Sequence, residues 1–150
     1  MQTIDLSPFP GSEALTVYAA LFRRDDVGLL EAGPALDLFP EEPSPIEFKA
    51  KATWYDLWPY AKRAGVYLIY DATFQLLYVG KAWIFGPRLY QHFGSNEKRC
   101  MILENWSSRP RYVINVAVSA DMAFEAAALE TFLIYELQPS DNTHGKHAWD

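Results

Sequence analysis

The sequence predicts an α+β fold, a small antiparallel three-stranded sheet flanked by helices, with an N-terminal helical extension. Two short apolar runs on either side of a four-residue loop predict a β-hairpin. A later run of alternating apolar residues predicts a third strand, and a long helical pattern follows it. The chain of 150 residues is long enough for one domain.

Composition indicates a folded chain. Hydrophobic residues make up 50% of it and charged residues 21%, which excludes intrinsic disorder. No apolar run approaches the roughly 20 residues that span a bilayer, so we expect no contact with a membrane. The first residues lack the basic and apolar regions of a signal peptide. The single cysteine, Cys100, cannot form an internal disulfide, so we expect a reducing, cytoplasmic location.

Charge divides the chain into two parts. Residues 1–47 carry nine acids and two bases, whereas residues 48–150 carry ten acids and eleven bases. A proline-rich stretch, Phe39–Pro45, favours a boundary between an acidic N-terminal extension, residues 1–47, and a main body, residues 48–150. We expect the extension to pack on the main body. The extension either completes the core or serves as an arm that contacts a protein partner or inhibits the site. The net charge of −6 argues against strong nonspecific nucleic-acid binding, although a local basic groove remains compatible with it.

The extension begins with a predicted amphipathic helix over residues 12–24. Ser12 is the expected N-cap, and Leu15, Tyr18 and Phe22 recur at helical spacing. After the proline-rich stretch, residues 53–63 are aromatic and contain Pro59, so we expect a packed loop or short helical turns there.

The hairpin strands are predicted at Gly65–Tyr70 and Gln75–Gly80. The expected pairing places Tyr67 opposite Tyr78 and Gly65 opposite Gly80.

These four residues would share one face because side chains alternate along a strand. Two phenols flanked by positions without side chains leave a floor on which a flat group could settle. An ordinary aromatic pair packed on the core explains the pattern as well.

A short helix, Gly86–Phe93, is predicted next, with Pro87 in its first turn. Arg88 and His92 lie four residues apart and therefore share a face. A guanidinium and an imidazole presented together suit a phosphate group, although a solvated helix face is the simpler explanation.

The third strand is predicted at Arg111–Val118, and Asp121 is the expected N-cap of a helix that runs to about Leu137. In that helix Glu125 and Glu136 mark a solvent-facing edge.

Glu130 points about 120–140° away from that edge, toward apolar neighbours. A carboxylate there needs a salt bridge or a bound cation. One carboxylate completed by water and phosphate oxygens is a usual way to hold Mg²⁺.

Together these features resemble the GIY-YIG nuclease family. Gly65-Val66-Tyr67 and Tyr78-Val79-Gly80 are similar to its two signatures, with Val in place of Ile, and Lys81 follows the second, as in many members. The remaining matches are to the Arg-x-x-x-His helix, the single metal-binding glutamate and the asparagine after the glutamate helix, and they fall on Arg88, His92, Glu130 and Asn142. The resemblance runs from about residue 64 to residue 142, and residues 1–60 match nothing in the family's minimal domain.

The resemblance implies a metal-dependent endonuclease with one Mg²⁺ or Mn²⁺ ion on Glu130. It further implies that Tyr67 takes a proton from the attacking water. Since a free phenol has a pKa near 10, a cationic neighbour such as Lys81 or Arg88, or the metal, has to lower that value. Tyr78 and His92 would position or relay the water, and Asn142 would brace the glutamate helix or the sheet.

The expected substrate is nucleic acid, with DNA favoured over RNA. Two alternatives stay open at this point: the same chemistry on RNA, and a catalytically silent nuclease-fold adaptor, which the acidic charge motivates. The sequence contains no acidic cluster of the two-metal kind, no CxxC and no HExxH motif.

Overall fold

The computed structural model describes residues 2–4, 8–43, 50–51, 58–96, 99–100, 102 and 105–146. The helices are α1 (Ser12–Phe22), α2 (Phe85–Phe93) and α3 (Glu125–Leu137), and a 3-10 helix spans Ala120–Met122. The strands are β1 (Gln2–Ile4), β2 (Glu31–Ala32), β3 (Ala35–Asp37), β4 (Ala50–Lys51), β5 (Gly65–Asp71), β6 (Leu76–Ala82), β7 (Ser95–Asn96), β8 (Arg99–Cys100) and β9 (Pro110–Ala117). The predicted boundary between residues 47 and 48 lies outside these ranges.

The predicted α+β class, antiparallel sheet and N-terminal helix are confirmed. The three predicted strands lie side by side in the order β9-β5-β6. N-terminal strands continue the sheet beyond β9, where β2 and β3 both pair with β9, β1 pairs with β3, and β4 pairs with β1. Within the described residues β6 is therefore an edge strand, and β7 and β8 form a separate pair.

The predicted register of the hairpin was wrong. Tyr67 pairs with Gly80 and Ile69 with Tyr78. The Asp71 carboxylate accepts hydrogen bonds from the backbone N–H groups of Thr73 and Gln75, and this turn places Tyr70 opposite Leu76 instead of Gln75, a shift of one residue. A register shift at Ile69/Tyr70 then moves the pairing by one more residue. Because the total shift is even, Tyr67 and Tyr78 still share a face, as diagonal rather than direct neighbours.

Each face of the sheet packs against different elements. On one face, alternate residues of β5 and β9, including Leu68 and Ile114, pack with α1 and α3. On the other face, Tyr67 and Val113 belong to a second buried cluster with α2 and Trp58. Since β6 lies at the edge between the two layers, residues from α2 and α3 can meet beside it.

A buried contact joins the end of helix α1 to Glu125 of α3, a residue that the sequence pattern wrongly placed at the solvent-facing edge. Glu125 is not on a solvent-facing edge; its carboxylate is buried and accepts two hydrogen bonds from Arg23, at 2.7 and 3.0 Å. Tyr18 of α1 lies 3.4 Å from the same carboxylate. A buried arginine partner at the end of α1 makes this position of α3 suitable for an acid. Glu136 is exposed, as expected.

The start of α3 also differs from the prediction. Asp121 is exposed and lies in the 3-10 helix, and α3 begins four residues later, at Glu125. The backbone N–H of Met122 donates to the Ser119 carbonyl, so the chain makes a separate tight turn before the helix starts.

A second buried ion pair joins β3 to β9. The Arg111 guanidinium donates to both Asp37 carboxylate oxygens at 2.9 Å, and both side chains are buried. Arg111 also donates to backbone carbonyls of Phe39, Glu42 and Pro43, so one side chain anchors the start of the proline-rich stretch. Among the described residues, no helix is both long and apolar enough to cross a membrane.

Candidate active site

The Tyr67 hydroxyl is the innermost polar group of the candidate site. Tyr67 is fully buried on β5, and its hydroxyl lies 2.8 Å from His92 Nε2. Arg88 donates an Nε–H to the same oxygen at 3.0 Å. The spacing of four residues on α2 places Arg88 and His92 on one face, as predicted, and both reach the same phenol.

Two glycines make room for this arrangement. A Cβ at Gly80 would overlap the hydroxyl and the ring of Tyr67, the residue that pairs with Gly80 on the neighbouring strand β5. A Cβ at Gly65 would overlap the Val116 carbonyl and come within 2.7 Å of the Phe85 ring. Neighbouring atoms therefore occupy the space beside each glycine, and the open floor that the sequence suggested is absent at these two positions.

Tyr78 lies in front of this buried group. It is partly exposed on β6, with its ring centroid 6.1 Å from that of Tyr67 and 5.5 Å from that of His92. Trp106 packs edge-on against Tyr78 at 5.8 Å. These ring contacts hold Tyr78 at the edge of the sheet, next to α2.

Glu130 approaches the same edge from α3. Its side chain is 21% exposed, and Lys81 Nζ lies 3.5 Å from Oε2. The Oε2 atom is buried and accepts no hydrogen bond from the described part of the chain. Because the Lys81 side chain is 53% exposed, the only described cation paired with Glu130 comes from the solvent side.

The Asn142 amide closes the free edge of β6. Its side chain accepts a hydrogen bond from the Val79 N–H and donates one to the Val79 carbonyl, both at 2.9 Å. The neighbouring Asp141 N–H donates to the Leu77 carbonyl at 2.7 Å. The segment after α3 thus supplies the backbone partners that another strand would otherwise provide.

A hollow of about 500 Å³ lies between α2, α3 and the end of β6. Four predicted site residues line it, namely Tyr78, Lys81, Arg88 and Glu130. Tyr67 and His92 are behind this lining, and Arg88 touches both the hollow and Tyr67. Asn142 lines a neighbouring hollow together with Tyr78 and Glu130.

Burial dominates the electrostatics of the site. Burial, and secondarily Tyr78, raises the pKa of Tyr67 well above that of a free phenol, while Arg88 opposes part of the rise. Burial likewise raises the pKa of Glu130 above its ordinary value of 4.5, and Lys81 and Arg88 counteract this only in part. Arg88 therefore acts on Tyr67 in the expected direction, but burial outweighs it.

The residues fit a single hard cation. Glu130 offers one buried carboxylate oxygen without a hydrogen bond, beside a hollow with room for water and phosphate. The described residues contain no group of three or more His, Cys, Asp or Glu side chains that could hold a metal. Any ion bound here would therefore take its remaining ligands from water or substrate.

The residues of the hollow that were not predicted include Gln91, Trp83 and Phe124. Gln91 accepts a hydrogen bond from Arg88 Nη1 at 2.6 Å, and its spacing of three residues along α2 was the available signal. Trp83 and Phe124 line the hollow while remaining largely exposed. Trp83 lies between the predicted hairpin and the predicted helix at Gly86, where periodicity gives no information about the direction of a side chain. Phe124 lies in the first turn of the helix predicted after Asp121, but that helix begins only at Glu125.

The comparisons with known proteins match the part of the chain that holds the site. The sequence profile of the UvrC-like GIY-YIG domain matches residues 63–143. UvrABC system protein C of Lachnospira eligens is 31% identical over 81 residues, which are 54% of this chain and 13% of that protein. The chain therefore spans only a small part of this relative's length, and every predicted site residue lies within the matched range.

Proposed function

This protein belongs to the UvrC-like GIY-YIG domain family, because the sequence profile of that family matches more than half of the chain, and from this membership we propose its function. We propose that the protein is a metal-dependent DNA endonuclease. The observation that carries the proposal is that Arg88, which contacts the Tyr67 hydroxyl, and Glu130, which has a buried oxygen without a hydrogen bond, line the same hollow. A guanidinium and a carboxylate in one hollow suit a phosphodiester and its counter-ion.

Glu130 would hold one Mg²⁺ or Mn²⁺ ion. An ion bound there would stabilise negative charge on the scissile phosphate and the leaving oxygen. Lys81 has to give up its 3.5 Å contact with Glu130 when the ion binds, and its exposed side chain is free to turn toward solvent or a phosphate. Lys81 would then neutralise part of the substrate's charge.

Arg88 would bind a non-bridging oxygen of the scissile phosphate. Its guanidinium already faces the hollow, and Gln91 accepts a hydrogen bond from Nη1 and limits its orientation. As the guanidinium moves onto the phosphate, its contact with the Tyr67 hydroxyl loosens. Substrate binding would therefore leave the phenol oxygen able to accept a hydrogen bond from the attacking water.

Tyr67 and His92 would transfer the proton of the attacking water. A phenol with a raised pKa is almost fully protonated at neutral pH, so it can accept a proton only while it gives its own away. His92 Nε2, 2.8 Å from the hydroxyl, is placed to receive that proton. Tyr78, on the hollow side of Tyr67, would orient the water.

Cleavage assays with two variants test the proposal. Plasmid DNA, branched DNA and RNA are incubated with the protein and Mg²⁺ or Mn²⁺, and we expect the DNA to be cut. Glu130→Ala and Arg88→Ala should each lower the rate at least about 100-fold, the loss expected when a transition-state contact of about 3 kcal/mol is removed.

Glu136→Ala, on the exposed side of the same helix, is the matched control and should cut like the wild type. Undiminished cleavage by both site variants would overturn the proposal. Cleavage of RNA alone would keep the chemistry and correct the substrate.

A further inference from the structure

Two exposed aromatic side chains line the same hollow as the phosphate-binding and metal-binding residues. Trp83 is 71% exposed and Phe124 is 64% exposed, and both contribute to its wall. Large aromatic surfaces left in water are costly, and beside a functional hollow they commonly mark a contact with a ligand.

Each aromatic residue lies just before a helix that carries a predicted site residue. Trp83 follows β6 directly and precedes α2, which holds Arg88. Phe124 is the residue before α3, which holds Glu130. The two aromatic residues are thus adjacent in sequence to the elements that carry the polar groups of the hollow.

Apart from Ile84 and Gln91, the other residues that line the hollow are small and apolar. Ala123, Ala126 and Ala127 of the α3 side contribute to it, together with Pro87 at the start of α2. Small side chains leave space for a flat ring, and none of the four carries a charge that would hold a phosphate. These four residues therefore differ in chemistry from Arg88, Lys81 and Glu130, which line the same hollow.

The spacing fits a nucleotide close to the scissile phosphate. Phe124 precedes Glu130 by six residues, which correspond to about 9 Å along a helix axis. Because a nucleic-acid strand advances about 3.4 Å per nucleotide, that axial distance corresponds to about three nucleotides.

On the basis of the proposed function, we propose that Trp83 and Phe124 bind an unpaired nucleobase beside the scissile phosphate. A base inside a duplex is covered by its neighbours, whereas an unpaired base offers both ring faces to aromatic side chains. The substrate class is then nucleic acid with an unpaired base at or near the cut. Because stacking needs no cation, this contact gives affinity to a chain whose net charge is −6.

Matched substrates test the inference. One duplex is fully paired, a second carries one unpaired base near the expected cut, and a third has an abasic nucleotide at that position. We expect the wild type to cut the second duplex at least about tenfold faster than the other two, within the range that base–aromatic stacking provides.

Trp83→Ala combined with Phe124→Ala should remove this preference while changing cleavage of the abasic duplex by less than about twofold, because that duplex offers no base to stack. Trp83→Phe should retain most of the preference. Tyr135→Ala, an exposed aromatic position on α3 outside the hollow, is the control and should behave as the wild type.

Binding separates this inference from the proposed nuclease activity. Fluorescence anisotropy with the same three labelled duplexes, without divalent metal, requires no cleavage. Tighter binding of the unpaired base that is lost in the double variant supports the inference even if no substrate is cut. Equal affinity for all three duplexes, or a preference that survives in the double variant, overturns it even if DNA is cut, and leaves the aromatic pair as a surface for a protein.

Discussion

Arg88 connects the exposed and buried parts of the site. Its Nε–H donates to Tyr67, while its side chain lines the hollow that also contains Glu130. The sequence correctly predicted that Arg88 and His92 lie on one face of a short helix, because a spacing of four residues is sufficient for that. It could not predict that Tyr67 is fully buried, since its burial depends on residues far apart in the chain, including Trp58 and Val113.

Glu130 gives a prediction about stability that does not depend on substrate. Because burial raises the pKa of Glu130, the folded state favours its neutral form, and ionisation at neutral pH destabilises the fold. This cost is absent below the ordinary value of 4.5 and is complete once the pH exceeds the raised pKa. We expect Glu130→Gln to increase the free energy of unfolding at pH 7 by about 0.5–2 kcal/mol, the usual range for a stabilising substitution.

Urea denaturation in the absence of divalent metal, at pH 7 and pH 4, measures this effect. The advantage of the variant should shrink at pH 4, where the wild-type carboxyl is also protonated. Glu136→Gln, at an exposed position of α3, should change neither curve. A Glu130→Gln protein less stable than the wild type at pH 7 would show that the carboxylate stabilises the fold.

At the scale of elements, the long regular segments were predictable and the short strands were not. The alternation in β9 placed Tyr112, Ile114 and Val116 on one face, and these residues do share one buried cluster. The N-terminal strands contain only two or three residues each, too few to show a period. The hairpin register was missed because the Asp71 turn and the bulge in the hairpin leave the apolar pattern unchanged.

The edge strand β6 gives a prediction at this scale. Asn142→Ala would leave the N–H and carbonyl of Val79 without partners at a buried position, which costs about 1–3 kcal/mol. Cleavage should fall as well, since Val79 lies between the catalytic candidate Tyr78 and the glycine that accommodates Tyr67. Thermal denaturation and hydrogen exchange of the Val79 amide measure the two effects.

Thr143→Ala, at the exposed neighbouring position, is the control for this substitution. We expect it to leave both the stability and the exchange rate at Val79 unchanged. An Asn142→Ala protein with the same exchange rate at Val79 as the wild type would contradict a bracing role for the amide.

At the scale of the whole molecule, the N-terminal part is attached to the family domain by buried contacts. Residue 37 lies outside the matched range, and residue 111 lies inside it. Asp37 therefore forms its buried ion pair with Arg111 of the family domain, and Glu42 likewise pairs with Arg109 at 2.9 Å. These contacts support the proposal that residues 1–47 complete the core rather than serve as an arm.

Asp37→Ala tests this attachment. It leaves the Arg111 guanidinium buried without its carboxylate, so we expect a loss of about 3–5 kcal/mol of unfolding free energy in urea denaturation. Asp26→Ala, which breaks an exposed aspartate–arginine pair of similar length, should cost less than about 1 kcal/mol. Unchanged stability together with faster cleavage after Asp37→Ala would favour an inhibitory arm.

The position of the site beside an edge strand has one more consequence. Among the described residues, the hollow lies at the flank of the sheet, between a helix on one face and a helix on the other. A polymer can lie down in such a trough sideways, at any point along its length. The proposed reaction therefore needs no free strand terminus, and a covalently closed circle is as acceptable as a linear fragment.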